Sequence, residues 1–292
     1  MKNAEYLMAV LDSQALAEDS SELKALRSHR ETIEECLREA FGSAPVIRYG
    51  GSQAKGTLIK ESYDLDIVCY FPRDEEDAGD TLEQIYNNVK DVLSKDYFVE
   101  PRTSALRVKG LDKVDFHIDV VPGRFVEEGS YDAFLYCSSG DRCRLKTNIE
   151  THIKHVKGSG VTDAIKLMKV WRTRNGVQLK TFVLELIVID TLAGTDLNLE
   201  GQVKTVLEKL RDESDSISVQ DPANSGNDLS ELWNDGIKAS VAARANSTLA
   251  LVKSSGWESV FGKLPEKAQD NVVEALQHAA RSSSAPTRPW CE

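Results

Sequence analysis

Apolar residues recur at helical spacing in two stretches of the first hundred residues. Between positions 21 and 41 they fall on one face of a helix, and Gly42 follows where a C-terminal cap is expected. The apolar residues of positions 82–93 have the same period and predict a helix packed on a sheet. The pattern therefore predicts a long amphipathic helix at 21–41 and a shorter one at 82–93.

Three other stretches are typical of strands. Val46–Tyr49 is a short candidate strand, and Leu65–Phe71 combines β-branched and aromatic residues in a strand that begins near Asp64. Residues 114–122 alternate cleanly, with positions 114, 116, 118 and 120 apolar and predicted to face inward. The first part of the chain thus predicts a sheet flanked by helices.

Beyond residue 160 the pattern is helical, with Ala164, Leu167, Met168 and Trp171 on one stripe. Residues 123–160 are richer in Gly, Ser and charge, so the boundary between two lobes is placed there. We predict an α+β protein with a central cleft. A lobe with a sheet and a long N-terminal helix spans 1–155, and a helical lobe spans 156–292.

Composition narrows the possible classes of protein. The 292 residues carry 36 Lys and Arg against 47 Asp and Glu, a net charge of −11, which argues against stable DNA or RNA binding. The longest apolar run, 182–194, contains Glu185 and Asp190 and is too short and charged to span a membrane. Five scattered cysteines indicate reduced thiols. A cytoplasmic protein, monomeric and without a membrane partner, is expected.

Candidate chemistry is concentrated between positions 50 and 66. Gly51 and Ser52 follow the first strand and open a short helix, where free backbone N–H groups attract phosphate. Asp64 and Asp66 share one face of the next strand, roughly 6.5 Å apart, and can hold a hard divalent cation. Taken singly, each piece also fits an ordinary turn or a solvated strand start.

A third carboxylate is available from the alternating strand at 114–122. Its polar face carries Asp115, His117 and Asp119. On its own this pattern also fits a half-buried strand whose polar face meets water.

The spacing of Gly51-Ser52 from Asp64-x-Asp66 resembles the active-site motif of polymerase-β-like nucleotidyltransferases. The resemblance favours Asp119 as the third acid, since it lies just before a Val-Val-Pro run, and leaves Asp115 as the fallback. It implies a mixed sheet with flanking helices.

The second half of the chain resembles one branch of that superfamily. Lys169-x-Trp171, followed by Lys180-Thr181 and an apolar helix, is similar to the second lobe of the cGAS/DncV-like nucleotidyltransferases, or CD-NTases, and of oligoadenylate synthetases. In that family a lysine and a small hydroxyl residue reach the nucleotide triphosphate. Lys169 and Thr181 are the matching positions, with Thr181 replacing the commoner serine.

The resemblance implies an enzyme that makes a cyclic di- or oligonucleotide from ATP or other NTPs in anti-phage (CBASS) signalling, with a separate effector reading the product. Asp64, Asp66 and Asp119 would hold two Mg²⁺ or Mn²⁺ ions and carry catalysis. Gly51, Ser52, Lys169 and Thr181 would bind the phosphates.

Two alternatives to a cyclic-nucleotide synthase remain open. One is an RNA-tailing or CCA-adding nucleotidyltransferase, and the other is a catalytically idle fold that serves as a binding partner. Cys137, Cys143, His152 and His155 are candidates for a zinc site, although their spacing matches no standard zinc finger.

Overall fold

A computed structural model describes residues 2–16, 20–62, 65–110, 117–140, 143–227 and 229–264. Within these ranges the chain forms ten α-helices, seven β-strands and two short 3₁₀ helices, Ser214–Ser216 and Ser230–Trp233. The strands are β1 Val46–Tyr49, β2 Leu65–Phe71, β3 Phe98–Pro101, β4 Leu106–Lys109, β5 His117–Phe125, β6 Ala133–Tyr136 and β7 Arg144–Thr147. The α-helices are α1 Asn3–Gln14, α2 Ser21–Phe41, α3 Gly51–Lys55, α4 Leu82–Leu93, α5 Ile149–Lys157, α6 Thr162–Arg174, α7 Thr181–Leu192, α8 Leu199–Asp212, α9 Asp235–Ser255 and α10 Glu258–Phe261.

The strands form one mixed sheet. Its main order is β1-β2-β5-β4-β3, and β6 and β7 continue from the far end of β5. Strands β2 and β5 are parallel, whereas the other pairs are antiparallel. The predicted α+β class is therefore confirmed, and β2 and β5 lie side by side at its centre.

One face of the sheet is covered by α2 and α4. Ile33 and Leu37 of α2 and Ile85 and Val89 of α4 are fully buried against β2, β4 and β5. Burial of each such side chain contributes about 1.5–3 kcal/mol. The bounds 21–41 and 82–93 agree with the predicted helices, and Gly42 caps α2 with φ of +61°.

The remaining helices form a second core. Leu167, Met168 and Trp171 of α6 are buried among α7, α8 and α9, as the apolar stripe predicted. Helix α1 contributes Leu7 and Val10 to this helical core, although the predicted division assigned residues 1–155 to the lobe with the sheet. The boundary near residue 155 stays a prediction, with α1 packed across it.

Residues 123–160, predicted as the boundary region, contain more regular structure than their Gly and Ser content indicated. They complete β5 and form β6, β7 and α5. Asn148 caps α5, since its side chain accepts a hydrogen bond from the backbone N–H of Thr151. Helix α5 thus connects the sheet to the helical core.

Candidate active site

Asp66 and Asp119 lie on adjacent central strands at the same level. They are direct partners in the parallel register of β2 and β5. Residues in register on neighbouring strands point to the same face of a sheet. Two half-buried carboxylates therefore lie side by side at the floor of a cleft, which also contains the turn at Gly51 and Ser52.

The turn at residues 50–52 is fitted closely to the start of β2. The backbone N–H of Gly50 donates to the carbonyl of Asp66 at 2.8 Å. Gly51 has φ of +51°, and a Cβ atom there would lie 1.5 Å from Oδ2 of Asp66. Glycine is therefore required at position 51 both by its backbone conformation and by the carboxylate beside it.

Asp119 has a fixed partner on its other side. Arg107 of β4 is its antiparallel neighbour and donates two hydrogen bonds, from Nε at 2.9 Å and from Nη2 at 2.8 Å. A bidentate guanidinium defines the carboxylate plane. Each carboxylate oxygen retains a further lone pair, so the pair is compatible with a metal ion on the open side.

The cleft has a volume of about 430 Å³ and lies between the sheet and the helical core. Six of the predicted site residues line it: Gly51, Ser52, Asp66, Asp119, Lys169 and Thr181. Its other lining residues are Lys55, Ser62, Lys180, Phe182, Glu185 and Leu232. Asp64 and the fallback Asp115 lie outside the described residues.

Lys169 is the predicted phosphate ligand, and its side chain is buried in the cleft wall with 2% exposure. Its ammonium group donates to the carbonyl of Thr57 at 2.6 Å. Burial lowers the pKa of Lys169 to about 8, although Glu185 partly offsets this effect. The hydrogen bond to Thr57 therefore holds Lys169 at the cleft, and the sequence did not reveal this contact.

Sequence reasoning missed Lys55, Arg107 and Glu185. Lys55 and Glu185 form a buried ion pair at 2.7 Å between α3 and α7. The available signal was Glu185 itself, noted only as a charge that interrupts an apolar run. A carboxylate within a buried helix requires a charged or hydrogen-bonding partner. Nothing in the sequence pattern indicated Arg107, because its strand, β4, was not predicted.

The structure does not bring the four candidate zinc ligands, Cys137, Cys143, His152 and His155, together in a metal site. Within the described ranges, no three His, Cys, Asp or Glu residues form a group that can hold a metal ion. His152 is buried and pairs with Asp221, Nε2 to Oδ1, at 2.7 Å. Cys137 and Cys143 face each other across the end of the β6–β7 hairpin, where the backbone N–H of Cys137 donates to the carbonyl of Cys143.

Residues 30–121 match the family model of the nucleotidyltransferase domain. A search of curated protein sequences found no significant match. In the part of the chain that the structure describes, each helix is too short or too polar to cross a bilayer.

Solved structures share the fold over most of the chain. The Bradyrhizobium diazoefficiens CD-NTase CdnG in complex with GTP has a TM-score of 0.70 and 13% identity, covering 94% of this chain and 99% of CdnG. Escherichia coli MS115-1 CdnC with ATP has a TM-score of 0.66 and 18% identity, covering 90% and 98%. Vibrio cholerae DncV cyclic AMP-GMP synthase has a TM-score of 0.64 and 15% identity, covering 91% and 86%. The chain therefore shares the fold of these CD-NTases, and residues 30–121 match the nucleotidyltransferase-domain model.

Proposed function

We propose that this protein is a nucleotidyltransferase that joins nucleoside triphosphates into a cyclic di- or oligonucleotide by two-metal phosphoryl transfer. The observation that carries the proposal is the register pair of Asp66 and Asp119 at the floor of the cleft, below Gly51 and Ser52. The nucleotidyltransferase match over 30–121 supports the reaction class. The cyclic product is proposed because the fold is shared with structures described as cyclic dinucleotide synthases.

The donor atoms available at Asp66 and Asp119 fit Mg²⁺ or Mn²⁺. Both residues offer carboxylate oxygens, which are hard ligands. Asp64, two residues before Asp66, is proposed as the third ligand. When bound, two such ions would lower the pKa of the attacking ribose hydroxyl and stabilise the leaving pyrophosphate.

Positive side chains line the same cleft as these carboxylates. Lys55, Lys169 and Lys180 all line it, and Ser52 and Thr181 add hydroxyl groups. A triphosphate carries several negative charges, which would otherwise be repelled by Asp66 and Asp119. The lysines and hydroxyls are proposed to bind the β- and γ-phosphates and to fix the α-phosphorus near the carboxylates.

Asp119 is proposed to orient the attacking hydroxyl and to accept or direct its proton. Arg107 holds both oxygens of Asp119, so that the carboxylate keeps one orientation during the reaction. A second nucleotide acts as acceptor in the first step, and the linear product then turns so that its free hydroxyl attacks its own α-phosphorus and displaces a second pyrophosphate. The same carboxylates serve both steps.

The proposal extends to the cellular role. A cytoplasmic, monomeric enzyme would release its product in anti-phage signalling, and a separate effector protein would bind that product. E. coli MS115-1 CdnC has been solved in complex with HORMA-deltaN, so the proposal includes binding of a protein partner.

Product analysis tests the proposal. The purified protein is incubated with four labelled NTPs and Mg²⁺ or Mn²⁺, treated with phosphatase and examined by mass spectrometry. We expect a phosphatase-resistant cyclic product, which is lost in Asp66→Asn. Linear extension of added RNA would instead favour a tailing enzyme, and the absence of pyrophosphate release with every NTP would contradict the proposal.

A further inference from the structure

A buried polar cluster joins the turn at residues 50–52 and helix α3 to the helical core. Lys55, at the end of α3, donates to Oε2 of Glu185 at 2.7 Å. The hydroxyl of Thr57 donates to Oε1 of the same carboxylate at 2.9 Å. The carbonyl of Thr57 accepts from the ammonium group of Lys169 at 2.6 Å. Four residues from α3, the following loop, α6 and α7 are thus linked in one network.

All four side chains are withdrawn from bulk water. Lys55 is 7% exposed, Thr57 0%, Lys169 2% and Glu185 1%. A buried charge persists only where partners compensate for its lost hydration. Both oxygens of Glu185 are engaged, one by an ammonium group and one by a hydroxyl. Glu185 therefore accepts from two of the other three members of the cluster, and Thr57 links it to the third, Lys169.

We propose that Glu185 is a positioning residue for the phosphate-binding cations of the cleft. This inference rests on the proposed function and adds to it the residue that fixes where Lys55 and Lys169 lie. Glu185 holds Lys55 directly, and it holds Lys169 indirectly, because Thr57 donates its hydroxyl to Glu185 and accepts from Lys169. Lys55 also ends the short helix that begins with Gly51 and Ser52.

The direction in which nucleotide affinity changes when Glu185 is neutralised distinguishes a positioning role from a purely electrostatic one. Glu185 adds a negative charge to a cleft proposed to bind a polyanion. If it acted only through its charge, neutralising it would tighten nucleotide binding. If it positions the cations, neutralising it releases Lys55 and Thr57 from their fixed places, and binding becomes weaker.

The test compares Glu185→Gln with the wild type and with Asp190→Asn. Asp190 is exposed on the same helix and provides the same change of charge away from the cleft. Binding of α,β-methylene-ATP with Mg²⁺ is measured by calorimetry, because this analogue cannot release pyrophosphate. We expect the Kd to rise by at least about tenfold in Glu185→Gln and to stay unchanged in Asp190→Asn.

Thr57 gives a second test that does not alter a charge. Its side chain is fully buried and does not line the cleft, so it cannot contact the nucleotide. Thr57→Val keeps the shape and removes the hydroxyl, whereas Thr57→Ser keeps the hydroxyl. We expect Thr57→Val to raise the Kd of the analogue about threefold to tenfold, and Thr57→Ser to bind more tightly than Thr57→Val.

The outcomes distinguish this inference from the proposed function. Unchanged or tighter binding by folded Glu185→Gln contradicts the positioning role alone, provided that the wild type binds the analogue and releases pyrophosphate from NTPs. A wild type without binding and without turnover contradicts the proposed function, and the positioning role with it. If Glu185→Gln does not fold, the Thr57→Val and Thr57→Ser pair decides.

Discussion

Gly51 leaves no room between its backbone and the carboxylate of Asp66. A Cβ atom at position 51 would lie 1.5 Å from Oδ2 and 2.4 Å from Cγ of Asp66, far inside any non-bonded contact. The positive φ of +51° adds a second reason for glycine. The turn at residues 50–52 and the carboxylate of Asp66 are therefore fixed relative to each other.

We predict that Gly51→Ala abolishes turnover while the protein remains folded. The added methyl group must displace either the turn or the Asp66 side chain, so the two lose their relative placement in the cleft. A displacement of this size costs about 100-fold in rate or more. Pyrophosphate release from NTPs measures the loss, and circular dichroism verifies the fold.

Gly56→Ala is the matched control for Gly51→Ala. Gly56 ends the same short helix with φ of +73°, but a Cβ there would meet no atom within 4 Å. This variant carries only the backbone strain of a positive φ, about 1 kcal/mol. Equal losses of turnover in the two variants would show that backbone strain, rather than contact with Asp66, explains the effect.

The sequence pattern predicted α2, α4 and the central strands β2 and β5, because periodicity and residue composition are local properties. The helices at 21–41 and 82–93 follow from the spacing of apolar residues, and the strand at 65–71 follows from its β-branched and aromatic residues. Strands β6 and β7 were missed because each is only four residues long, and β7 carries two basic residues on one side. Strands of this kind are stabilised by their neighbours in the sheet, which a sequence pattern does not show.

The residues of the candidate site also fall into two groups, those that the sequence predicted and those that it did not. Asp66 and Gly51 belong to one continuous motif, and the structure brings both to the cleft with Asp119. Arg107 and Glu185 could not be assigned because their partners lie 12 and 130 residues away. Pairing over such distances depends on the tertiary fold, although a charge within an apolar helix predicts that some partner exists.

Arg107 provides the second prediction. Arg107→Gln removes the bidentate contact, so that Asp119 is no longer held in one plane, and we expect pyrophosphate release to fall about tenfold to 100-fold. Lys109→Gln is the control, since Lys109 lies on the same strand and pairs with Glu100 instead. If Arg107→Gln were as active as Lys109→Gln, Arg107 would have no role in turnover.

The third prediction concerns pH and Lys169. Burial lowers the pKa of Lys169 to about 8, Glu185 and Asp66 raise it, and Lys55 and Arg172 lower it further. The side chain is therefore charged below pH 8 and loses its proton as the pH rises through that value. We expect the affinity for α,β-methylene-ATP to fall about tenfold between pH 7.5 and 9. Lys169→Met should bind more weakly and show no such slope, and parallel curves for the two proteins would contradict the assignment.

The last prediction concerns the stability of the loop that begins at Asp221. This buried carboxylate accepts hydrogen bonds from His152 at 2.7 Å, from the side chain of Asn227 at 2.8 Å and from the backbone N–H of Ala223 at 2.9 Å. Asp221→Ala leaves these donors unpaired, so we expect the free energy of unfolding in urea to fall by about 3 kcal/mol. Asp215→Ala, at an exposed position nearby, should change it by less than about 0.5 kcal/mol.

The same carboxylate predicts how this stabilisation depends on pH. Burial raises the pKa of Asp221, but the hydrogen bonds from His152, Asn227 and Ala223 outweigh burial, so the pKa lies below its usual value. A carboxyl group with a lowered pKa stabilises the folded state above the pKa of the unfolded chain, about 3.9, and stops doing so as the pH falls through the folded value. The difference in unfolding free energy between wild type and Asp221→Ala should therefore shrink as the pH falls below about 4. A difference that does not change down to pH 3 would show that Asp221 stabilises the loop without its charge.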